Sequence, residues 1–199
     1  MFERFTEGAR DVVTDAVGHA GRTGAATVTE EHLLLALFER QGTRASFAFA
    51  VLGLAGRRAS VEDALRDARR RAGLSKAETE ALAGLGIDVD EIVARVEETH
   101  GEGALRVAVK RGRTWWPKHR PFAPGAKAAL VRSLRIAQGR GDRVIGDEHL
   151  LLALTARPGV VSEVLADHGA TYAALERAMF GEEEEEGEGE GGGGPAEAG

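Results

Sequence analysis

Glu31-His32-Leu33-Leu34-Leu35-Ala36-Leu37 recurs letter for letter as Glu148-His149-Leu150-Leu151-Leu152-Ala153-Leu154. Around it, residues 5–37 align with residues 122–154 without a gap at an offset of 117. Phe5 meets Phe122, Gly8-Ala9 meets Gly125-Ala126, and Gly24 meets Gly141. An internal repeat of this kind is one structural unit used twice.

The period inside each copy is helical. Ala9, Val12, Val13, Ala16, Val17 and Ala20 form one apolar stripe, and Ala126, Ala129, Leu130, Ser133, Leu134 and Ala137 repeat it. Thr6 is placed to cap the first helix, and Pro124 suits the first turn of its counterpart. Gly21/Gly24 and Gly139/Gly141 end them. A second helix is expected to begin near Thr29 and near Asp147, both good N-caps, and the carboxylates that follow suit the positive helix end. Leu33 to Phe38 is apolar on nearly every side, as expected for the buried centre of a bundle. Further helices are expected over about 45–52, 61–72, 76–83 and 90–99, then 160–167 and 172–180. Strand-like alternation is scarce. The expected fold is all-α: a pseudo-twofold duplicated bundle of two four-helix repeats, with an extra helix in the first half and a disordered acidic tail.

The composition of the 199 residues narrows the chemistry. There is no Cys, which excludes disulfides, thiolate catalysis and Cys-ligated metals. Residues 1–5 lack the apolar run of a signal peptide, and no stretch reaches the roughly 18 apolar residues of a membrane span. A soluble, cytoplasmic protein with no membrane partner is expected. The net charge of -6 comes from the last 18 residues, which hold eight Glu and no Lys or Arg. Without them the chain is close to neutral. Such a Glu/Gly segment cannot bury apolar surface. The expected organisation is a first repeat at 1–100, a basic Trp-containing linker at 101–121, a second repeat at 122–181 and a tail at 182–199. The first half is the longer one, and its additional material is expected at about 56–80. Both Val51-Leu52-Gly53-Leu54 and the stretch from Leu82 to Asp88 suit the end of a third helix.

Met1 to Thr6 followed by Ala9-Arg10, together with the doubled Glu-His-Leu-Leu core and Pro121 to Lys127, resembles a ClpC-type N-terminal (Clp R) repeat domain. The resemblance covers about residues 1–181. It implies a bundle of about eight helices that, in ATP-driven unfoldases, receives adaptors and substrates. No G-x-x-x-x-G-K-[ST] phosphate loop occurs in these 199 residues, and the expectation is a free-standing, non-enzymatic N-domain without cofactor. The partners so implied are Clp adaptors, substrates or a ClpC-type unfoldase, with the chain as a binding module, decoy or regulator.

The resemblance also implies candidate binding residues. In some relatives the Glu of the motif, here Glu31 and Glu148, holds the guanidinium of phosphoarginine, and the preceding residue, usually Thr, helps hold the phosphate. Here Glu30 and Asp147 precede. Like charges at 4 Å repel by about 4 kcal/mol at an effective dielectric of 20, which disfavours phosphoarginine. An unmodified Arg or Lys of a partner suits these acidic pairs better. Phe2 and Arg10 match a corner that takes cyclic peptides in related domains, and sequestration of such peptides is the alternative function. His32 and His149 lack the second ligand of an H-E-x-x-H pattern, so they are expected to be structural and no metal site is expected. The Arg/Lys-rich stretch with Trp115-Trp116 has the residue types of a nucleic-acid platform, but the near-neutral body disfavours that use. No Ser lies in a G-x-S-x-G elbow, and no catalytic residue is assigned.

Overall fold

The fold is built from a helix pair within each half and from later helices that pack across the two halves. The computed structural model describes residues 2–101, 104–105 and 120–181, the side chain of Phe2 excepted. The expectations for Trp115-Trp116 and for the tail at 182–199 lie outside the described residues. Among those described are ten α-helices and no β-strand. In the first half these are α1 (Glu7–Arg22), α2 (Glu30–Phe38), α3 (Arg44–Val51), α4 (Arg58–Arg70), α5 (Lys76–Gly84) and α6 (Val89–His100). The second half has α7 (Pro124–Gly139), α8 (Asp147–Thr155), α9 (Val160–Asp167) and α10 (Tyr172–Phe180).

Within each half the first two helices form an antiparallel pair, α1 with α2 and α7 with α8. The turn between them is set by a glycine at positive φ. Gly24 (φ 66°) allows Ala25 N–H to reach Ala20 O at 2.9 Å, and Gly141 (φ 76°) allows Asp142 N–H to reach Ala137 O at 2.8 Å. These are matching helix C-terminal closures.

The third and fourth helices then cross over. α10 packs on α3, and α4 packs on α9. α3 ends at Gly53 (φ 68°) with Leu54 N–H on Phe49 O, and α9 ends at Gly169 (φ 86°) with Ala170 N–H on Leu165 O. The Val51–Leu54 ending is therefore the counterpart of the α9 terminus, and α4 is the counterpart of α10. The sequence reading put the additional material at about 56–80; α4 spans most of that stretch, and the helices without a counterpart in the second half are α5 and α6.

Two isolated parallel bridges tie the halves together reciprocally: Phe5 with Ile145, and Val28 with Phe122. Thr6 N–H donates to Ile145 O at 2.9 Å and Ile145 N–H to Arg4 O at 2.7 Å. At the symmetric place Ala123 N–H donates to Val28 O at 2.8 Å and Val28 N–H to Pro121 O at 2.9 Å.

The doubled motif fills the centre. Leu33, Leu34 and Leu37 of α2 and Leu150, Leu151, Leu152 and Leu154 of α8 are buried in one continuous core. Each such leucine contributes roughly 1.5–3 kcal/mol of transfer free energy. α8 is enclosed more completely, since it packs on α1, α2, α3, α7, α9 and α10.

Candidate functional site

The two acidic pairs sit at the first turns of α2 and α8, and the histidine that follows each pair builds that turn. Thr29 N–H donates to His32 Nδ1 at 3.0 Å, and Gly146 N–H donates to His149 Nδ1 at 3.0 Å. Each histidine thus does what Glu or Gln does in half of a capping box, satisfying the N-cap amide from the third helical position. Because Nδ1 accepts, His149 carries its proton on Nε2 and donates it to Asp142 Oδ2 at 2.9 Å. Burial, the largest cause, pushes both imidazoles below their ordinary pKa, His32 to about 4, so both are neutral. The contact between His149 Nδ1 and Glu148 Oε1 at 3.5 Å is therefore not an ion pair. Sequence reasoning left these histidines as structural, and their bonds give the reason.

At the first pair, Glu30 and Glu31 are both half-buried. Glu30 leans on α7, where a Cβ at Gly125 would collide with its carboxyl. Burial raises its pKa, against the charges of Arg132 and Arg157. Glu31 Oε2 lies 3.3 Å from Arg69 Nε of α4. Burial raises its pKa too; Arg69 opposes the rise and Glu30 adds to it. Both carboxyls border a cavity of about 310 Å³ whose far side is Arg157, Gly159, Val160 and Ser162, at the start of α9. The N-cap of α9 is Gly159, which offers no side-chain cap. The first pair therefore faces open space with an uncapped helix end opposite.

The second pair is arranged differently. The N-cap of α8 is Gly146, not Asp147 as the sequence reading had it; Asp147 is the first helical residue. Its carboxylate is turned inward, where Oδ2 accepts the N–H of Ala45 at 3.1 Å. Asp147 thereby caps α3 of the other half and is only 6% exposed. It is a scaffold residue in this structure rather than a surface carboxylate. Glu148 folds back over Gly146, where a Cβ would strike its carboxyl oxygens. Its pKa is pushed up to about 7 by burial, the largest cause; a backbone N–H bond to its carboxyl opposes the rise, the adjoining Asp147 adds to it, and Arg44 opposes it. Arg44 and Arg140 both lie on the Phe180 ring, their guanidinium carbons 5.4 and 3.6 Å from its centroid.

The remaining candidates sit apart from both pairs. Arg10 is exposed on the first turns of α1. The backbone of Phe2 opens a short 3-10 turn, Phe2–Arg4. That turn borders an apolar cavity of about 260 Å³, walled by Phe5, Leu130, Val131, Leu134 and Ile145. The α7 wall, like Arg69 and Arg157 at the first pair, was missed by sequence reasoning. Leu130 and Leu134 belong to the α7 stripe without marking a cavity, and Arg69 and Arg157 lie in no motif; tertiary packing brings them to their sites. Among the described residues no group of three or more His, Asp or Glu is placed to hold a metal.

This geometry can be set beside known proteins. Residues 121–197 match the family model described as the Clp repeat (R) N-terminal domain. The chain carries a Clp N-terminal repeat domain. It is 33% identical over 171 residues to the chloroplastic ClpC1 chaperone of Arabidopsis thaliana, and equally to a chloroplastic ClpA homolog of Brassica napus. Each alignment covers 85% of this chain but only 14% and 15% of those relatives. The Clp N-domain chain thus spans about one seventh of their length. Its fold is that of the N-terminal domain of ClpD from Arabidopsis thaliana, at a TM-score of 0.53 and 20% identity, covering 90% of this chain and 94% of that one. Among the described residues no single helix is long and apolar enough to cross a membrane.

Proposed function

We propose that this Clp N-domain is a non-catalytic docking module of the Clp protease and chaperone system, and that the first acidic pair, Glu30 with Glu31, is its docking point. It takes a cationic side chain of an adaptor or substrate, or engages a ClpC-type unfoldase as a decoy or regulator. The observation that carries this reading is the contrast at the helix starts. The first pair borders a cavity of about 310 Å³, whereas Asp147 is consumed by the backbone of α3 and Glu148 is folded over Gly146. Two half-buried carboxyls facing a cavity favour a guanidinium or ammonium, which they can bind by charge-assisted hydrogen bonds. They oppose phosphoarginine at the same place, for the reason of like charge.

Capture from the protein's own cell extract tests this. Wild type and Glu148→Ala are expected to retain the same Clp-system partner, and Glu31→Ala to lose it. Equal capture by Glu31→Ala would remove the first pair as the docking point. Micromolar binding of phosphoarginine in calorimetry would overturn the like-charge argument.

The second reading, a cyclic-peptide site at the N-terminal corner, is favoured by the apolar cavity beside the Phe2–Arg4 turn. Phe2→Ala and Val131→Asp would each weaken such binding, and an unchanged affinity in both would discard it.

A further inference from the structure

Ser60 closes the stretch Arg57-Arg58-Ala59-Ser60 and is the only Ser or Thr in the sequence with arginine at both the second and the third place before it. Val61 follows. Paired arginines ahead of a serine, with an apolar residue after it, form the charge pattern that an Arg-directed protein kinase selects with acidic groups of its own. The other described serines are committed to the scaffold. Ser133 is buried and donates to Leu130 O, and Ser162 donates to Gly159 O. Ser46 and Ser75 close the starts of α3 and α5. Ser60 is exposed, and its hydroxyl turns to the other half of the molecule, 2.9 Å from Nε2 of His168, the residue that ends α9.

The geometry around this hydroxyl suits transfer of a phosphoryl group. His168 Nδ1 lies 2.7 Å from Val164 O, so that nitrogen carries the proton and Nε2 accepts the Ser60 O–H, leaving the lone pairs of Oγ for an electrophile. Arg57 rests on Gly53 O at 3.2 Å and Leu52 O at 2.8 Å, and Arg58 on Glu62 at 2.7 Å and Glu39 at 3.5 Å. Exposed pairs of this kind are weak, and the carboxylates of a kinase can take their place. The N-cap of α4, Arg57, makes no side-chain bond, and the first turn holds no carboxylate. Such a turn opens readily, as a kinase requires in order to hold residues 57–61 extended. Val61 is fully buried, which draws the turn back into place afterwards. Of the acidic residues that follow on α4, Glu62 is paired with Arg58 and Asp63 with Arg66.

We infer that Ser60 is a phosphorylation site for an Arg-directed Ser/Thr kinase, and that the start of α4 receives the phosphate opposite His168. In the transfer, Ser60 Oγ bonds to the γ-phosphorus of a nucleoside triphosphate. The bond from that phosphorus to the β–γ bridging oxygen breaks, the nucleoside diphosphate leaves, and the hydroxyl proton passes to the base of the kinase. Acceptor oxygens then stand where a donor stood, in the first turn of a helix that lacks an anion. His168 Nε2 keeps the contact by donating, as an imidazolium whose Nδ1 stays on Val164 O. The link between α4 and α9 across the halves changes from a neutral hydrogen bond to a charge pair. The site includes none of Glu30, Glu31 or Arg69, and it stands or falls independently of the docking reading.

Incubation of the full, folded chain with Mg·ATP and the catalytic subunit of cyclic-AMP-dependent protein kinase, an Arg-directed enzyme, tests it, with the phosphate mapped by mass spectrometry. Ser60 is expected to be the principal site, and Ser60→Ala to lose that incorporation. Arg57→Ala, a change at an exposed residue, should slow it by about tenfold or more. Mapping separates Thr114, which follows Arg111 and Arg113. The inference is overturned by no phosphate on Ser60, by phosphate there only after denaturation, or by an undiminished rate in Arg57→Ala. The phosphorylated chain is expected to melt no lower than the unmodified chain at pH 6, and His168→Ala to melt lower once phosphorylated. A wild-type melt lowered by phosphorylation would remove the start of α4 and His168 as the receivers of the phosphate.

Discussion

The starts of α2 and α8 carry the same Glu-His-Leu-Leu letters and opposite surroundings. At α2 the N-cap is Thr29, the carboxyls of Glu30 and Glu31 face a cavity, and the helix end across from them, α9, has a bare Gly159. At α8 the N-cap is Gly146, the carboxyl of Asp147 spans to α3, and Glu148 fills the room that a side chain at Gly146 would need. Two small changes separate them. Asp in place of Glu removes one methylene and brings the carboxylate onto a backbone amide. Gly in place of Thr frees a pocket that the next carboxyl occupies. A duplicated motif thus has one copy turned outward and one turned to the scaffold.

The contrast can be broken most forcefully in the core. Leu152→Ala, in fully buried surroundings on α8, is expected to destabilise the fold by about 2–5 kcal/mol in chemical denaturation. Leu35→Ala, its half-buried counterpart on α2, is expected to cost clearly less. Equal losses would mean that α8 is not the more enclosed helix. Next comes the cap. Asp147→Ala strands the buried Ala45 N–H and is expected to cost about 1–3 kcal/mol, whereas Glu30→Ala should fall within about 0.5 kcal/mol.

The pH dependence is third in size. The pKa of Glu148 rises from 4.5 in the unfolded chain to about 7 in the fold, so the folded state binds more protons between those values. Stability from this group is present below pH 4.5 and is lost as pH rises through about 7. Glu148→Gln should therefore gain about 1–2 kcal/mol over wild type at pH 8.5, allowing for solvent screening, and little or nothing at pH 4.5. A gain at low pH instead would reverse the assignment. The smallest effect belongs to Arg69→Ala. Its ion pair with Glu31 is 44% exposed on the arginine side, and loss should change stability by less than about 1 kcal/mol. Its effect on partner capture sharpens the comparison, because α8 has no such arginine paired to Glu148 among the described residues.

Much of the fold was readable in the chain because it rests on local patterns. The stripe from Ala9 to Ala20 and its echo from Ala126 to Ala137 specify a helix by period alone, and Gly24 and Gly141 end it at the same step. The all-apolar run after each His specifies a buried centre. The candidate site was readable only as a pair of letters. Whether a carboxyl is a docking group depends on what stands opposite. For Asp147 that is Ala45, 102 residues away in sequence. For Glu31 it is Arg69 and the start of α9. Those partners are set by the crossing of third and fourth helices between halves, which no local period encodes. The same crossing explains why the position of the additional material was hard to read: α4 looks like an insertion until its packing on α9 shows it to be the match of α10.

The reciprocal bridges have a bearing on how such a molecule arises. Phe5 with Ile145 and Phe122 with Val28 are the same contact made in both directions, which is the self-complementary pattern of a twofold interface. One half has its entry segment and its α1–α2 turn both unpaired until a second half arrives. Two copies of a single half would satisfy each other by the same exchange. The chain has the form of a twofold dimer carried on one polypeptide, and in one polypeptide the two copies of the motif need not be identical.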